Sequence, residues 1–156
     1  MRVHAKQLEL IARLEENERL IARLYSAYAE HFEEYRAFWS DLAEEEKKHA
    51  SMLRNLLHQV REGALRLRDD RFDETSIQMQ CDYVKALVSK ARTETLSLED
   101  ALGQALAIEH DLRERHFFRV FEGDSPELAL ILDALESSTN EHRKRLLEEI
   151  EKAQKS

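Results

Sequence analysis

Glu46 and His49 stand three residues apart in "EEEKKHASML", residues 44–53. A helix there places both on one face. A carboxylate and an imidazole so spaced can hold a metal ion, provided their shared face points inward. Glu18, Glu109, Thr139 and His142 extend the set. Glu18 precedes Glu46 by 28 positions, and Glu109 precedes Thr139 by 30. His142 then follows Thr139 as His49 follows Glu46. Tyr25 lies seven positions after Glu18, and His116 seven after Glu109. The chain therefore presents two similar half-sets of residues able to bind a metal.

Four amphipathic segments position them. The first carries Leu8, Ile11, Leu14, Glu18, Ile21, Tyr25, Tyr28 and Phe32, in steps of three and four that make one stripe of a packed helix. Glu18 takes a place where the stripe otherwise carries an apolar residue. A break near Glu34 and Tyr35 precedes a second helix through Phe38, Leu42, Glu46, His49, Met52 or Leu53, and Leu56, which fades within "REGALRLRDD". Residues 64–96 are less regular. They hold one further short helix in "SIQMQCDYVKALVSKA" and are long enough to cross from one end of a bundle to the other.

Ser97 reads as a helix N-cap, with Asp100 three residues on in the manner of a capping box. The third main helix carries Leu98, Leu102, Ala105, Glu109, Leu112, His116 and Val120. Gly123 suits its C-terminal cap, and Ser125-Pro126 the start of a fourth helix. That helix turns Leu128, Ile131 or Leu132, Leu135, Thr139, His142, Leu146 and Ile150 inward. The fold expected is all-α: two short-linked helix pairs joined by a long crossover, in a single domain over residues 1–156.

The stripes place Glu18, Glu46, His49, Glu109 and His142 in the core. A buried carboxylate must be neutralised, paired with a cation or bound to a metal. Too few inward Lys or Arg exist to pair them all. A hard divalent or trivalent ion, bound through carboxylate oxygen and imidazole nitrogen, resolves all five together. A Glu from each of two helices plus Glu-x-x-His from the other two is the signature of a di-iron or di-manganese bundle.

These residues resemble the ligand set of the ferritin-like superfamily. Glu18, Glu46-x-x-His49, Glu109 and the His142 of "TNEH" are similar to the ligands of bacterioferritin and of the erythrin domain of rubrerythrins, and the likeness spans nearly the whole chain as a helix pattern. It implies an up-down-down-up four-helix bundle. It also implies one or two iron ions, with manganese or zinc as alternatives, held by Glu18, Glu46, His49, Glu109 and His142. Glu46 would bridge, and the chemistry would be oxidation of Fe(II) or reduction of dioxygen or peroxide. Tyr25, His116 and Thr139 would stand beside the ligands, Tyr25 as a hydrogen-bond donor to a buried carboxylate. The chain departs from the pattern at Thr139, where a second bridging glutamate belongs. It departs again at Leu112, where rubrerythrins carry an extra carboxylate, and it has no rubredoxin-type Cys-x-x-Cys. One metal position is therefore expected to fill weakly, or a single ion to bind.

Composition narrows the rest. Three glycines and one proline in 156 residues suit few, long helices. A net charge of −8 argues against a general nucleic-acid binder, which needs basic surplus to displace counterions. The single Cys81 excludes an internal disulfide, reads as a small hydrophobe, and suits a reducing, cytoplasmic setting. No apolar run approaches a membrane span. His4, His31, His58 and His110 read as surface residues. "HFFRVFEG" holds more large apolar residues than one stripe buries, so Phe117, Phe118 and Phe121 suit packing on the crossover helix or on a second chain, and the family resemblance implies a homo-oligomer, most simply a dimer. The expected function is a metal-binding, di-iron-type oxidoreductase. The alternatives are a mononuclear metal-binding module without turnover and a bundle that keeps only a structural or interaction role.

Overall fold

The computed structural model describes residues 2–63, 74–93, 95–114 and 126–155. They form α1 (Arg2–His31), a 3-10 turn (Glu33–Tyr35), α2 (Arg36–Arg61), α3 (Glu74–Thr93), α4 (Leu98–Glu114) and α5 (Pro126–Lys155), with no strand among the described residues. The fold is all-α. His116, Val120, Phe117, Phe118, Phe121, Gly123 and Ser125 lie outside the described residues.

The break after α1 falls where the sequence expectation put it. Phe32 N–H still donates to Tyr28 O at 2.9 Å, and Tyr35 N–H then donates to Phe32 O at 3.0 Å, tightening the chain into the turn. Aromatic side chains lock this corner. Trp39 is fully buried, with its ring 4.8 Å from Tyr28, 5.5 Å from Tyr25 and 5.1 Å from Phe38. α2 then runs antiparallel to α1, because Tyr25 and Tyr28 meet Trp39 while Glu15 meets Arg54 at 3.6 Å. Leu10, Ile11, Leu14, Ile21, Leu42, Leu53 and Leu56 close the apolar seam between them.

Just past the end of α2 the chain turns at Gly63, whose φ of +79° is one that L side chains rarely adopt. α3 is longer than the short helix expected, at 20 residues, and it packs along α1. Ile77, Cys81, Val84, Val88 and Ala91 are buried. Beside them runs a polar seam: Asn17 donates to Gln80 at 2.6 Å, and Gln80 donates to Asp111 of α4 at 3.1 Å. Arg13 to Gln78 and Glu16 to Lys85 set α3 parallel to α1. Cys81 is buried as expected, and desolvation pushes its thiol up to about 11. That suits an inert packing residue.

Asp100 N–H donates to Ser97 Oγ at 3.1 Å, so the cap expected at the start of α4 is formed. α4 runs antiparallel to α1, since Tyr25 reaches Glu109 and Tyr28 reaches Gln104. α5 packs on α4 and meets α2, burying Leu132, Leu135 and Leu146. Arg145 sits 5.9 Å over the Phe38 ring while His142 meets Glu45 and Glu46, which sets α5 antiparallel to α2. Among the described residues, no helix is long and apolar enough to cross a membrane.

Candidate metal centre

The four inward stripes converge midway along α1, α2, α4 and α5. Glu18, Glu46, His49, Glu109, Thr139 and His142 are all buried. Glu46 and His49 share a face of α2 because they are three residues apart. Glu109 on α4 and His142 on α5 complete the group from across the core. Tyr25, two turns after Glu18 on the same face of α1, donates its hydroxyl hydrogen to Glu109 Oε1 at 2.8 Å.

Glu46 organises the site, because its two oxygens face different histidines. Oε2 lies 3.4 Å from His49 Nδ1, and Oε1 lies 2.9 Å from His142 Nδ1. Each histidine has a second carboxylate beside the same nitrogen. Glu18 Oε2 is 3.7 Å from His49 Nδ1, and Glu109 Oε1 is 3.4 Å from His142 Nδ1. The rings of His49 and His142 are stacked, with centroids 5.6 Å apart. The result is two groups with Glu46 in common, Glu18–Glu46–His49 and Glu46–Glu109–His142. In each, one donor atom per residue lies within 4.8 Å of the others.

The spacing suits a metal ion. Ligands about 2.1 Å from one ion, at tetrahedral or octahedral angles, are themselves about 3.0–3.4 Å apart. The separations from 2.9 to 3.7 Å bracket that range. Hydrogen bonding provides the sharper test. Glu18 Oε2, Glu46 Oε2, His49 Nδ1 and Glu109 Oε2 are buried without any hydrogen-bond partner. A buried polar atom left unpaired costs about 1–3 kcal/mol. Four such atoms on facing side chains form the donor set that a hard or borderline cation satisfies.

The protons of the metal-free centre follow from burial and from charge. Burial, then the charge of Glu46, hold Glu18 well above the usual carboxylate range, against the opposing pull of His49. Burial and the charge of Glu109 also push Glu46 upward, but favourable contacts with Glu18, His142 and His49 outweigh them and leave it lowered. For the histidines, burial disfavours the cation and the carboxylates favour it. The carboxylates prevail, raising His49 to about 10 through Glu18 and Glu46, and His142 to about 11 through Glu109 and Glu46. Burial and the charges of Glu109 and Glu46 keep the Tyr25 hydroxyl protonated, and so a donor.

Thr139 is buried, but its hydroxyl donates to Leu135 O of its own helix at 2.9 Å and joins neither group. Glu136 is half-buried, Glu141 is exposed, and neither replaces it in the two groups. His31, His58 and His110 are exposed. Sequence reasoning missed Glu45 and Arg145. His142 Nε2 donates to Glu45 Oε2, and Arg145 donates to Glu45 Oε1 at 3.3 Å. This chain of contacts fixes the orientation of the His142 ring. The signal was present in the triple glutamate 44–46 and in an arginine one turn after His142, but a stripe drawn for the core passes over half-exposed positions. Comparison of the chain with protein-family models, with curated proteins and with solved structures finds no match, so the functional reading rests on this geometry.

Proposed function

We propose that the chain is a ferritin-like bundle of rubrerythrin type. In this reading α1, α2, α4 and α5 are its up-down-down-up helices, and the buried carboxylate–histidine centre holds iron for oxidoreductase chemistry on Fe(II), dioxygen or peroxide. The carrying observation is Glu46, one carboxylate with each oxygen turned toward a different histidine and a further glutamate on either side. The mutual directions of the helices support the same assignment. Bound iron would supply one-electron redox change at the carboxylates and histidines, which do not themselves undergo it.

The chain's own residues would do the rest. Glu18, Glu46, His49, Glu109 and His142 would hold the metal, with Glu46 common to both groups. Tyr25 holds Glu109 in place and keeps a proton at its hydroxyl. Trp39, Leu42, Leu53 and Leu135 belong to the surrounding core and exclude water. Manganese or zinc suits the same donors. We place the chain as a homo-oligomer, with a dimer as the simplest form.

A second reading is favoured by a specific asymmetry. Three of the unpaired donor atoms belong to Glu18, Glu46 and His49, whereas His142 is engaged through both ring nitrogens. A single ion in the first group, bound for storage or sensing without turnover, fits that arrangement.

Iron content after anaerobic loading with Fe(II), followed by oxygen and peroxide consumption, tests the proposal. About two irons per chain with turnover is the expected result. About one iron without turnover selects the single-ion reading. A folded helical protein with no bound metal overturns both.

A further inference from the structure

A second feature of the molecule lies away from the buried centre and is independent of the metal reading. Along α1, between α3 and Lys47 of α2, the surface opens into a hollow of about 610 Å³, within the range of small-molecule sites. Ala22, Ala27 and Ala91 line it, short side chains that leave the space open. A smaller hollow of about 370 Å³ lies along α1 and α3. Arg23 and Arg92 line both.

The charge here runs against that of the whole chain. In a protein of net charge −8, the two hollows gather Arg19, Arg23, Lys47, Lys85 and Arg92, with Glu30 as the one acid in their walls among the described residues. Arg19, Lys47 and Lys85 already have carboxylates, Glu15 at 2.8 Å, Glu44 at 2.9 Å and Glu16 at 3.2 Å. Arg23 and Arg92 have no ion pair among the described residues. Of these five cations, the two without an ion pair among the described residues are thus the two that both hollows share. Arg23 of α1 and Arg92 of α3 are exposed side chains on separate helices that line the same two hollows, so one compact anion held there can pair with both. Their planar forks match the oxygens of a phosphate group. Ser26 and Ser89 add hydroxyl groups to the walls.

We propose that this hollow binds the phosphate group of a small molecule, clamped by Arg23 of α1 and Arg92 of α3. Its size and its setting favour a small ligand over a nucleic acid. A polynucleotide needs a continuous basic track. Here Glu15, Glu16, Glu30 and Glu44 border the basic residues and repel a chain of phosphates beyond the first few.

Calorimetric titration of the full chain with inorganic phosphate, at ionic strength fixed with sodium chloride, tests this. One phosphate per chain is expected, with binding weakened about tenfold in Arg23→Gln and in Arg92→Gln, and unchanged in Arg61→Gln outside the hollow. Circular dichroism of each variant separates loss of binding from loss of fold. Equal heats in all variants, or none beyond those with chloride alone, overturn the proposal. So does tighter, arginine-dependent binding of a 20-nucleotide oligothymidylate, which would make the surface a nucleic-acid site. Loss of a dimer in the arginine variants without any phosphate binding would make it a self-association face instead.

Discussion

The groups Glu18–Glu46–His49 and Glu46–Glu109–His142 have one residue in common and opposite surroundings. In the first, a buried oxygen of Glu18, a buried oxygen of Glu46 and Nδ1 of His49 all lack hydrogen bonds. In the second, Glu109 accepts from Tyr25, while His142 is held between Glu46 and Glu45, and Glu45 in turn by Arg145. Carboxylates and imidazoles alone therefore do not define a metal position. What matters is whether protein partners have already satisfied them. In the second group Thr139 donates to its own helix, and the contacts to Tyr25, Glu45 and Glu46 leave Glu109 Oε2 as the unpaired atom. The first group keeps three unpaired atoms, those of Glu18, Glu46 and His49.

The largest effect expected follows from the residue in common. Glu46→Ala removes a ligand from both groups and should abolish iron binding at both positions, seen as iron content falling to background. Survival of one iron would mean that the groups do not share it. The next experiment separates them. His49→Ala should weaken the tighter position by at least about 100-fold, beyond the 10–100-fold typical of losing an outer partner, and His142→Ala should weaken only the second. Equal losses at both positions in each variant would erase the asymmetry.

Thr139→Glu sharpens the comparison from the other side. It supplies the carboxylate that the second group lacks and should raise iron affinity there about tenfold. In the metal-free protein, the added buried charge should lower stability by about 1–3 kcal/mol, recovered on loading and read from paired melting curves.

Acidity gives a further test. His49 and His142 titrate near 10 and 11 in the metal-free fold, against an ordinary 6.5. Their cationic forms bind more strongly in the folded state, so their contribution to stability is fully present below about pH 6.5 and lost as pH rises through 10 and 11. Metal binding has the opposite sign, because an ion displaces the ring protons and is favoured as pH rises. Melting curves from pH 6 to 10 should therefore fall for the metal-free chain, while iron affinity rises. The smallest effect is expected from Glu45→Gln, which loosens the His142 ring and should weaken only the second position by about tenfold.

Much of the centre was legible because helical periodicity is a strong signal. Glu18, Glu46, Glu109 and His142 occupy stripe positions otherwise held by Leu and Ile, so their burial followed from the spacing alone. The corner at Glu33–Tyr35 and the cap at Ser97 were legible from local chemistry. Less could be read of α3. Its inward face mixes Ile77, Val84 and Val88 with Gln80, and a buried Gln80 is visible only once Asn17 of α1 is known to face it. Glu45 was hidden for a related reason, since its partners His142 and Arg145 lie about a hundred positions away on another helix. Contacts between distant helices set both features, and no local pattern in the chain encodes them.

The most direct test of the unequal groups is an anaerobic Fe(II) titration of the full chain, following bound iron against free iron. Two phases are expected, one iron binding tightly and a second at least about tenfold more weakly. A single phase of two equivalent irons would contradict the account, as would no binding at all.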